Sequence, residues 1–375
     1  MLKLFEVSGF KNFRQTFSLD FSDTRDYRFN EHCVKDGLLK NIIIYGKNSS
    51  GKTNFGLAVL DIVANLAGNN LGNNISTLLY RNYIHSDIRV GRAEFRYVFQ
   101  FGEDVIDYKY LKTAYRILVC ERLLLNGDLL MNKSYMEPSN DDLSGLKKLA
   151  PTLNYPFYTE GSLLKYVINN TSLDPEHPLY KMMAYVSKML WFRSLDDNRY
   201  IGYTSSFEDS ESFLVDNAEF LCEFQELLRK AGVEDTLSVA TGPDGVKRLY
   251  SASPHDPSGR FPFYPTASSG TKALYTFFYW YKTAADASLL FIDEFDAFYH
   301  YELSEMIVKL LGKMLNTQVI LTSHNTNLLT NRIMRPDCYF ILTADKLVSF
   351  ANATERELRE GHNLEKLYMS GEFDE

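Results

Sequence analysis

Runs of apolar residues with two different periods divide the chain into strand-like and helix-like pieces. Leu2–Val7 and Thr16–Phe21 alternate with a period of two, as strands covered on one face do. Asn41-Ile-Ile-Ile-Tyr45 is instead a continuous β-branched run, which predicts a strand buried on both faces. Phe55, Leu57, Ala58, Leu60, Ile62, Val63 and Leu66 then follow a helical pattern that stops at Gly68-Asn-Asn. Ala93–Phe101 and Val105–Arg116 read as two strands about the turn Gly102-Glu-Asp. In the last third, Leu289–Ile292 and Gln318–Thr322 are short buried strands. Between them Leu303, Met306, Ile307, Leu310, Leu311, Met314 and Leu315 line one face of a helix. Weaker alternation at Leu237–Val239 and Lys247–Tyr250 brackets the turn Gly242-Pro-Asp-Gly245.

The stretch from about 118 to 260 has another character. Loops rich in Asn, Ser, Asp and Pro (Glu137–Asp142, Asp174–Pro178) separate helix-like segments near 179–192 and 216–231. The pattern predicts an inserted, mainly helical lobe over 118–234, with 1–117 and 235–375 forming the two halves of one α/β head. No internal repeat, heptad run or low-complexity tract is present.

Composition narrows the class. The 375 residues are 45% hydrophobic, 23% charged and 14% aromatic, which excludes wholesale disorder. A net charge of −8 argues against a chain built as a basic glove for nucleic acid, although a local basic face is compatible with it. Cys33, Cys120, Cys222 and Cys338 are scattered without a CxxC pair, so neither a disulfide framework nor a zinc site is indicated. Charges at Lys3 and Glu6 interrupt the N-terminus, and the most apolar later run, Ala273–Tyr281, falls short of the roughly 20 residues that span a bilayer. A cytoplasmic protein with no membrane partner is expected.

Gly46-Lys-Asn48-Ser49-Ser50-Gly51-Lys52-Thr53 fits the phosphate-loop pattern, between a buried strand and an amphipathic helix as that motif requires. The glycines let the backbone curl so that its N–H groups face the phosphates, and the start of the helix adds its positive field. Lys52 would bridge the β- and γ-phosphates, and the Thr53 hydroxyl would bind Mg²⁺. Three later features complete a candidate site. Asp293 and Glu294 end an apolar strand, where Asp293 would hold Mg²⁺ and Glu294 would deprotonate the attacking water. Ser268-Ser269-Gly270-Thr271 precedes a helix and would bind anions through hydroxyl and backbone N–H groups. Thr322-Ser323-His324 ends the next strand, 30 residues after Glu294, so that His324 would face the γ-phosphate.

In order and spacing these four elements resemble the ABC-type ATPases, specifically the SMC, RecF and OLD branch. The resemblance covers about 1–115 and 235–375. It includes Phe10-Lys11-Asn12-Phe13-Arg14, similar to the strand end that opens RecF-like chains, and Val90-Gly91-Arg92-Ala93 ahead of the antiparallel strands. It also includes the tail Asn363–Phe373, which looks like that of small bacterial AAA-type ATP-binding proteins. It implies an α/β ABC-ATPase head with a mixed central sheet, an antiparallel β subdomain and an inserted mainly helical lobe. It further implies ATP and Mg²⁺ as cofactors. Lys11, Asn12 and Asn54 would join the phosphate loop in binding nucleotide, and Glu294, His324 and Lys52 would act in catalysis. In such proteins two heads sandwich two nucleotides, so the Ser268 loop of one copy would close on the γ-phosphate held by Lys52 of the other, and Asp296 could act across the dimer. A homodimer or larger homo-oligomer follows, together with a separate effector protein, a nuclease or toxin, of the kind found beside such ATPases in anti-phage defence systems.

The departures from that pattern matter too. There is no coiled coil or Cys-x-x-Cys hook of the SMC type, and no glutamine stands between Thr77 and Arg92, where a Mg²⁺-binding glutamine is expected; Gln100 is a poor substitute. Asn132-Lys-Ser-Tyr135 lacks the aspartate of a guanine reader, which weighs against a GTPase. The pairs Asp141-Asp142 and Asp196-Asp197 read as solvated loop charges, and Arg92, Arg193, Arg199 and Arg260 are isolated arginines that could touch phosphate. A RecF-like clamp acting directly on DNA is the competing reading.

Overall fold

A computed structural model describes residues 1–68, 81–87, 89, 91–155, 161–194, 200–202, 210–242 and 244–373. Thr77, Val90, Asp196, Asp197, Arg199 and Pro243 lie outside the described residues. The chain folds as an α/β head around two large sheets. The central one has the strand order β11(Tyr200–Gly202), β10(Met189–Arg193), β15(Leu289–Asp293), β16(Gln318–Thr322), β5(Asn41–Tyr45), β17(Tyr339–Leu342), β18(Leu347–Ser349). Its five inner strands are parallel and the two edges antiparallel. Every residue of β5, β15 and β16 is buried, so a parallel sheet covered on both faces explains their unbroken apolar runs.

The second sheet is antiparallel, in the order β2(Phe17–Asp20), β1(Leu2–Ser8), β6(Ala93–Phe101), β7(Asp104–Ala114), β8(Ile117–Leu125), β9(Asp128–Ser134). The helix Lys52–Val59 lies between the two sheets. On one side Phe55 meets Phe5 and Phe13 at 5.6 and 6.0 Å between ring centroids, and the Tyr97 hydroxyl donates to the Ala58 carbonyl at 2.8 Å. On the other side Gly56 lies flat on the central sheet, where an added Cβ would stand 2.7 Å from both the Phe291 ring and the Trp191 indole nitrogen. Smaller pieces complete the head: the hairpin β3(Val34–Lys35)–β4(Leu38–Leu39) and a three-stranded sheet of β12(Thr236–Thr241), β13(Lys247–Ser253) and β14(Asp256–Pro262).

The segment 118–234 does not stand apart as a lobe. Its first part, β8 and β9, extends the antiparallel sheet. Its middle part, β10 and β11, joins the central sheet, and β10 pairs in parallel with β15. Helices Ser144–Leu149, Leu163–Asn169, Pro178–Ser187, Ser210–Val215 and Ala218–Lys230 occupy the rest. The helix near 179–192 therefore ends at Ser187, and Met189-Leu-Trp-Phe192 is a buried strand. A continuous apolar run reads equally as buried helix or buried strand, and only its neighbour β15 decides. β14 escapes a pattern reading because Asp-Pro-Ser-Gly-Arg carries strand breakers and little apolar alternation.

A buried charge cluster ties the phosphate-loop segment to the antiparallel sheet. Asp61 accepts from Lys112 Nζ at 2.5 Å, Tyr83 at 2.7 Å and Tyr110 at 2.8 Å, and the Lys112 and Asp61 side chains are 2% and 1% exposed. Removing one member leaves the other charge unpaired in a dry interior. Lys112→Met is expected to destabilise the fold by about 3 kcal/mol, measured by urea denaturation, whereas the double change Lys112→Met with Asp61→Leu should recover much of that loss.

Candidate nucleotide site

Parallel strands deliver their C-terminal ends to one edge of the sheet, and chemistry-bearing loops collect there. β5 runs into the phosphate loop, β15 into Asp293-Glu294, β16 into Ser323-His324, and β10 ends at Arg193. Register fixes their neighbours: Arg193 stands opposite Asp293, and Thr322 opposite Ile44 just before the loop.

The loop is tightly curled. Ser49 and Gly51 take left-handed φ values of 65° and 105°. An added Cβ on Gly46 would lie 2.6 Å from the Leu342 carbonyl, which closes that position to side chains, and at Gly51 the positive φ disfavours one. Asn48 and Ser49 are exposed, while Ser50 Oγ is buried beside Gly46 with no hydrogen-bond partner. Lys52 is 5% exposed, its Nζ donating to the carbonyls of Gly46 at 2.9 Å and Lys47 at 3.3 Å. Burial lowers its pKa, and the charges of Asp293 and Glu294 oppose that shift.

Thr53 and Asp293 meet as expected, with Thr53 Oγ1 donating to Asp293 Oδ2 at 2.7 Å. Thr322 Oγ1 donates to Asp293 Oδ1 at 2.8 Å and accepts from the Glu294 backbone N–H at 2.7 Å. Burial raises the Asp293 pKa, and the hydroxyls of Thr53 and Thr322 offset part of this. A hydroxyl paired with a buried carboxylate is a hard oxygen donor set, which suits Mg²⁺, and the curled backbone with the orphan Ser50 hydroxyl suits a phosphate chain.

Glu294 has a left-handed φ of 50°, a conformation costly for a residue with a side chain and held here by the Thr322 bond. His324 is exposed beside Lys52 and Glu294. Partial desolvation lowers its pKa, Lys52 lowers it further and Glu294 opposes, which favours the neutral imidazole.

Asn12 and Asn54 also join the loop: Asn54 Nδ2 donates to Asn12 Oδ1 at 2.7 Å, and Asn12 Nδ2 to the Ser50 carbonyl at 3.3 Å. Lys11, with φ 48°, donates to the Arg81 carbonyl at 2.9 Å, and burial lowers its pKa to about 8. Lys11, Asn12 and Asn54 line one cavity of about 700 Å³ with Arg81 and His85.

Ser268 caps the helix Ser269–Thr283, its Oγ accepting from the Thr271 N–H at 3.1 Å, and Ser268 and Ser269 are exposed. An added Cβ on Gly270 would lie 3.5 Å from the Phe298 carbonyl, which places this turn beside the loop after the acid pair. Among the described residues no hydrogen bond joins the Ser268–Thr271 turn to residues 46–54. Asp296 is buried and accepts from Ser323 Oγ at 2.6 Å; burial raises its pKa to about 6, so here it is a partner within its own chain. Gln100 lies at the Met1 end of β1, its side chain on the Gly102 carbonyl, remote from the phosphate-loop end of the sheet.

Two contributors were hidden in the sequence. Thr322 is one more polar residue at a strand end. Arg193 was a lone arginine, and its signal, the four apolar residues before it, became legible only once that run was a strand.

A strand, phosphate loop and helix with a hydroxyl–carboxylate pair at the adjacent strand ends define a P-loop nucleotide-binding protein. The family described as "AAA domain, putative AbiEii toxin, Type IV TA system" matches residues 42–330, and the chain belongs to it. Three solved SMC heads are similar to this chain. The SMC head bound to the C-winged helix domain of ScpA is 15% identical, with 93% of this chain and 97% of that one covered and a TM-score of 0.44. The SMC head domain from Thermotoga maritima gives 14%, 93%, 98% and 0.41. The SMC head with an extended coiled coil bound to the C-terminal domain of ScpA from Pyrococcus furiosus gives 12%, 93%, 96% and 0.43. No curated protein matches the chain. Among the described residues no helix is long and apolar enough to cross a membrane.

Proposed function

We propose that the protein is a Mg²⁺-dependent ATPase that works as a sandwich of two copies and thereby holds or controls a separate effector protein. What supports this is the meeting of Lys52, Thr53, Asp293, Glu294 and His324 at one sheet edge, while among the described residues the exposed Ser268 turn makes no hydrogen bond to the phosphate loop of its own chain. Lys52 and the loop amides would bind the phosphates. Thr53 and Asp293 would hold Mg²⁺, which neutralises phosphate charge. Glu294 would take the proton of a water whose oxygen bonds to the γ-phosphorus as the bond to ADP breaks. Neutral His324 would hydrogen-bond a γ-phosphate oxygen. Ser268, Ser269 and Gly270 of the second copy would supply further donors, so γ-phosphate joins the heads and its loss releases them. This reading includes a role in bacterial anti-phage defence with a nuclease or toxin as effector; the family description itself names a putative toxin of a type IV TA system.

Complementation tests the composite site. Lys52→Ala spoils one half of a site and Ser268→Arg the other, so each variant alone is expected to be nearly inactive. Mixed, they form heterodimers with one intact site, and about a quarter of the wild-type rate should return, the share expected for random pairing in a two-fold dimer. A mixture no more active than its parts, or wild-type specific activity unchanged on dilution, would rule the sandwich out. Strong, salt-sensitive stimulation by DNA would point instead to a clamp.

A further inference from the structure

The end of β10 brings a cation onto the proposed base. Arg193 donates to Glu294 Oε2 through Nη2 at 2.7 Å and Nε at 3.2 Å, and its Nε lies 3.6 Å from Asp293 Oδ2. Both contacts to Glu294 fall on one oxygen; among the described residues no hydrogen bond reaches Oε1. The two side chains are 22% and 21% exposed, so water screens the pair only in part. The placement is built by rigid elements. β10 pairs with β15 residue by residue, with Arg193 directly opposite Asp293. Trp191 and Phe192 anchor the strand in the core at 0% and 1% exposure, and the Ser194 N–H donates to the Asp293 carbonyl at 3.1 Å.

Such an arrangement suits aiming rather than binding. A general base must hold its lone pair within hydrogen-bond reach of one water, and a misplacement near 1 Å costs on the order of 10²-fold. Glu294 is a long side chain on a strained backbone and beside a second carboxylate, which left alone would push it away. A guanidinium that grips Oε2 with two N–H groups fixes the plane of the carboxylate and leaves Oε1 for the water. Among the described residues, the other charges near Glu294 are Asp293 and Asp296 on its own segment, Lys52 on the phosphate-loop helix, and His324 after β16. Lys52 Nζ is engaged by the Gly46 and Lys47 carbonyls, so among the described residues Arg193 is the cation in direct contact with Glu294.

We infer that Arg193 is the positioning residue of this site, holding the Glu294 carboxylate by Oε2 so that Oε1 faces the attacking water. The inference rests on the ATPase reading above. It assigns β10 a functional task.

The test is a kinetic cycle with Mg²⁺-ATP on the full chain. Arg193→Ala is expected to lower kcat by about 10–100-fold with KM and the Kd for a fluorescent ATP analogue within about twofold of wild type, because the hydrogen bonds of Arg193 go to the base, its approach to Asp293 is longer at 3.6 Å, and among the described residues none reaches the phosphate loop. Arg193→Lys, a point charge without the fork, should recover part of the rate. Arg193→Ala placed on Glu294→Gln should cost nothing further, since the residue acts through Glu294. Unchanged or raised kcat in Arg193→Ala, a loss of ATP affinity matching the loss of rate, or full additivity with Glu294→Gln would each overturn the inference. Should Arg193→Ala fold poorly, Arg193→Lys and its cycle with Glu294→Gln carry the same decision. Wild-type turnover by Glu294→Gln alone would instead remove the base assignment, and the two failures are thus distinguishable.

Discussion

Glu294→Gln is expected to cut ATP turnover by ~10²–10⁴-fold while ATP still binds, and to accumulate ATP-bound dimers. The amide keeps the length of the side chain and an oxygen that can accept from Arg193, so the local geometry survives. What it loses is the capacity to take a proton from water. The left-handed backbone at Glu294 is fixed by Thr322 Oγ1 and does not depend on the side chain, which removes misfolding as the simplest cause of a dead variant. Under the sandwich reading, ATP that cannot be cleaved keeps the γ-phosphate between two copies. Size-exclusion chromatography with Mg²⁺-ATP should therefore show dimers of Glu294→Gln that wild type shows only transiently. Turnover close to wild type would mean that another group activates the water. A dead variant that stays monomeric with ATP bound would retain the base and dismiss the sandwich.

Lys52→Ala should act one step earlier, on binding itself. Lys52 supplies the mobile charge of the loop, and charge-assisted hydrogen bonds contribute about 1.5–3 kcal/mol each. Losing contact with two phosphates thus weakens ATP on the order of 10²-fold or more. The readout is the ATP-induced rise in Tm, which follows from mass action and should nearly vanish at ATP concentrations that saturate wild type. The substitution also leaves the Gly46 and Lys47 carbonyls without the Nζ–H donor, so a modest fall in Tm without ligand is expected and does not confuse the result. A normal ATP-induced shift would show that the loop amides alone hold the nucleotide.

The site was legible where its chemistry is contiguous in sequence. Gly46–Thr53 declares its own backbone: a buried strand, two glycines at positions that disfavour a side chain, then a helix. Asp293-Glu294 and Ser323-His324 announce themselves as polar residues ending apolar strands. Lys11 and Asn12 were legible only through resemblance, and the structure places Asn12 against Asn54 and the Ser50 carbonyl and Lys11 on the Arg81 carbonyl. Asp296, a candidate for contacts across a dimer, instead holds Ser323 of its own chain.

The local units are written in short stretches of the chain: the phosphate loop, the acid-tipped strand, the capped Ser268 helix and the alternating strands of the antiparallel sheet. Each depends on backbone preferences and side-chain periodicity within a few residues, which any window of the chain displays. Which units meet is settled by long-range packing. The division expected at 118 dissolved because β8 and β9 continue one sheet while β10 joins the other. The partner of Arg193 is 101 residues away, and that of Lys112 is 51 residues away. Such pairings are set by strand register and by the cost of leaving buried charge unmatched, quantities that belong to the packed molecule and to no segment of it.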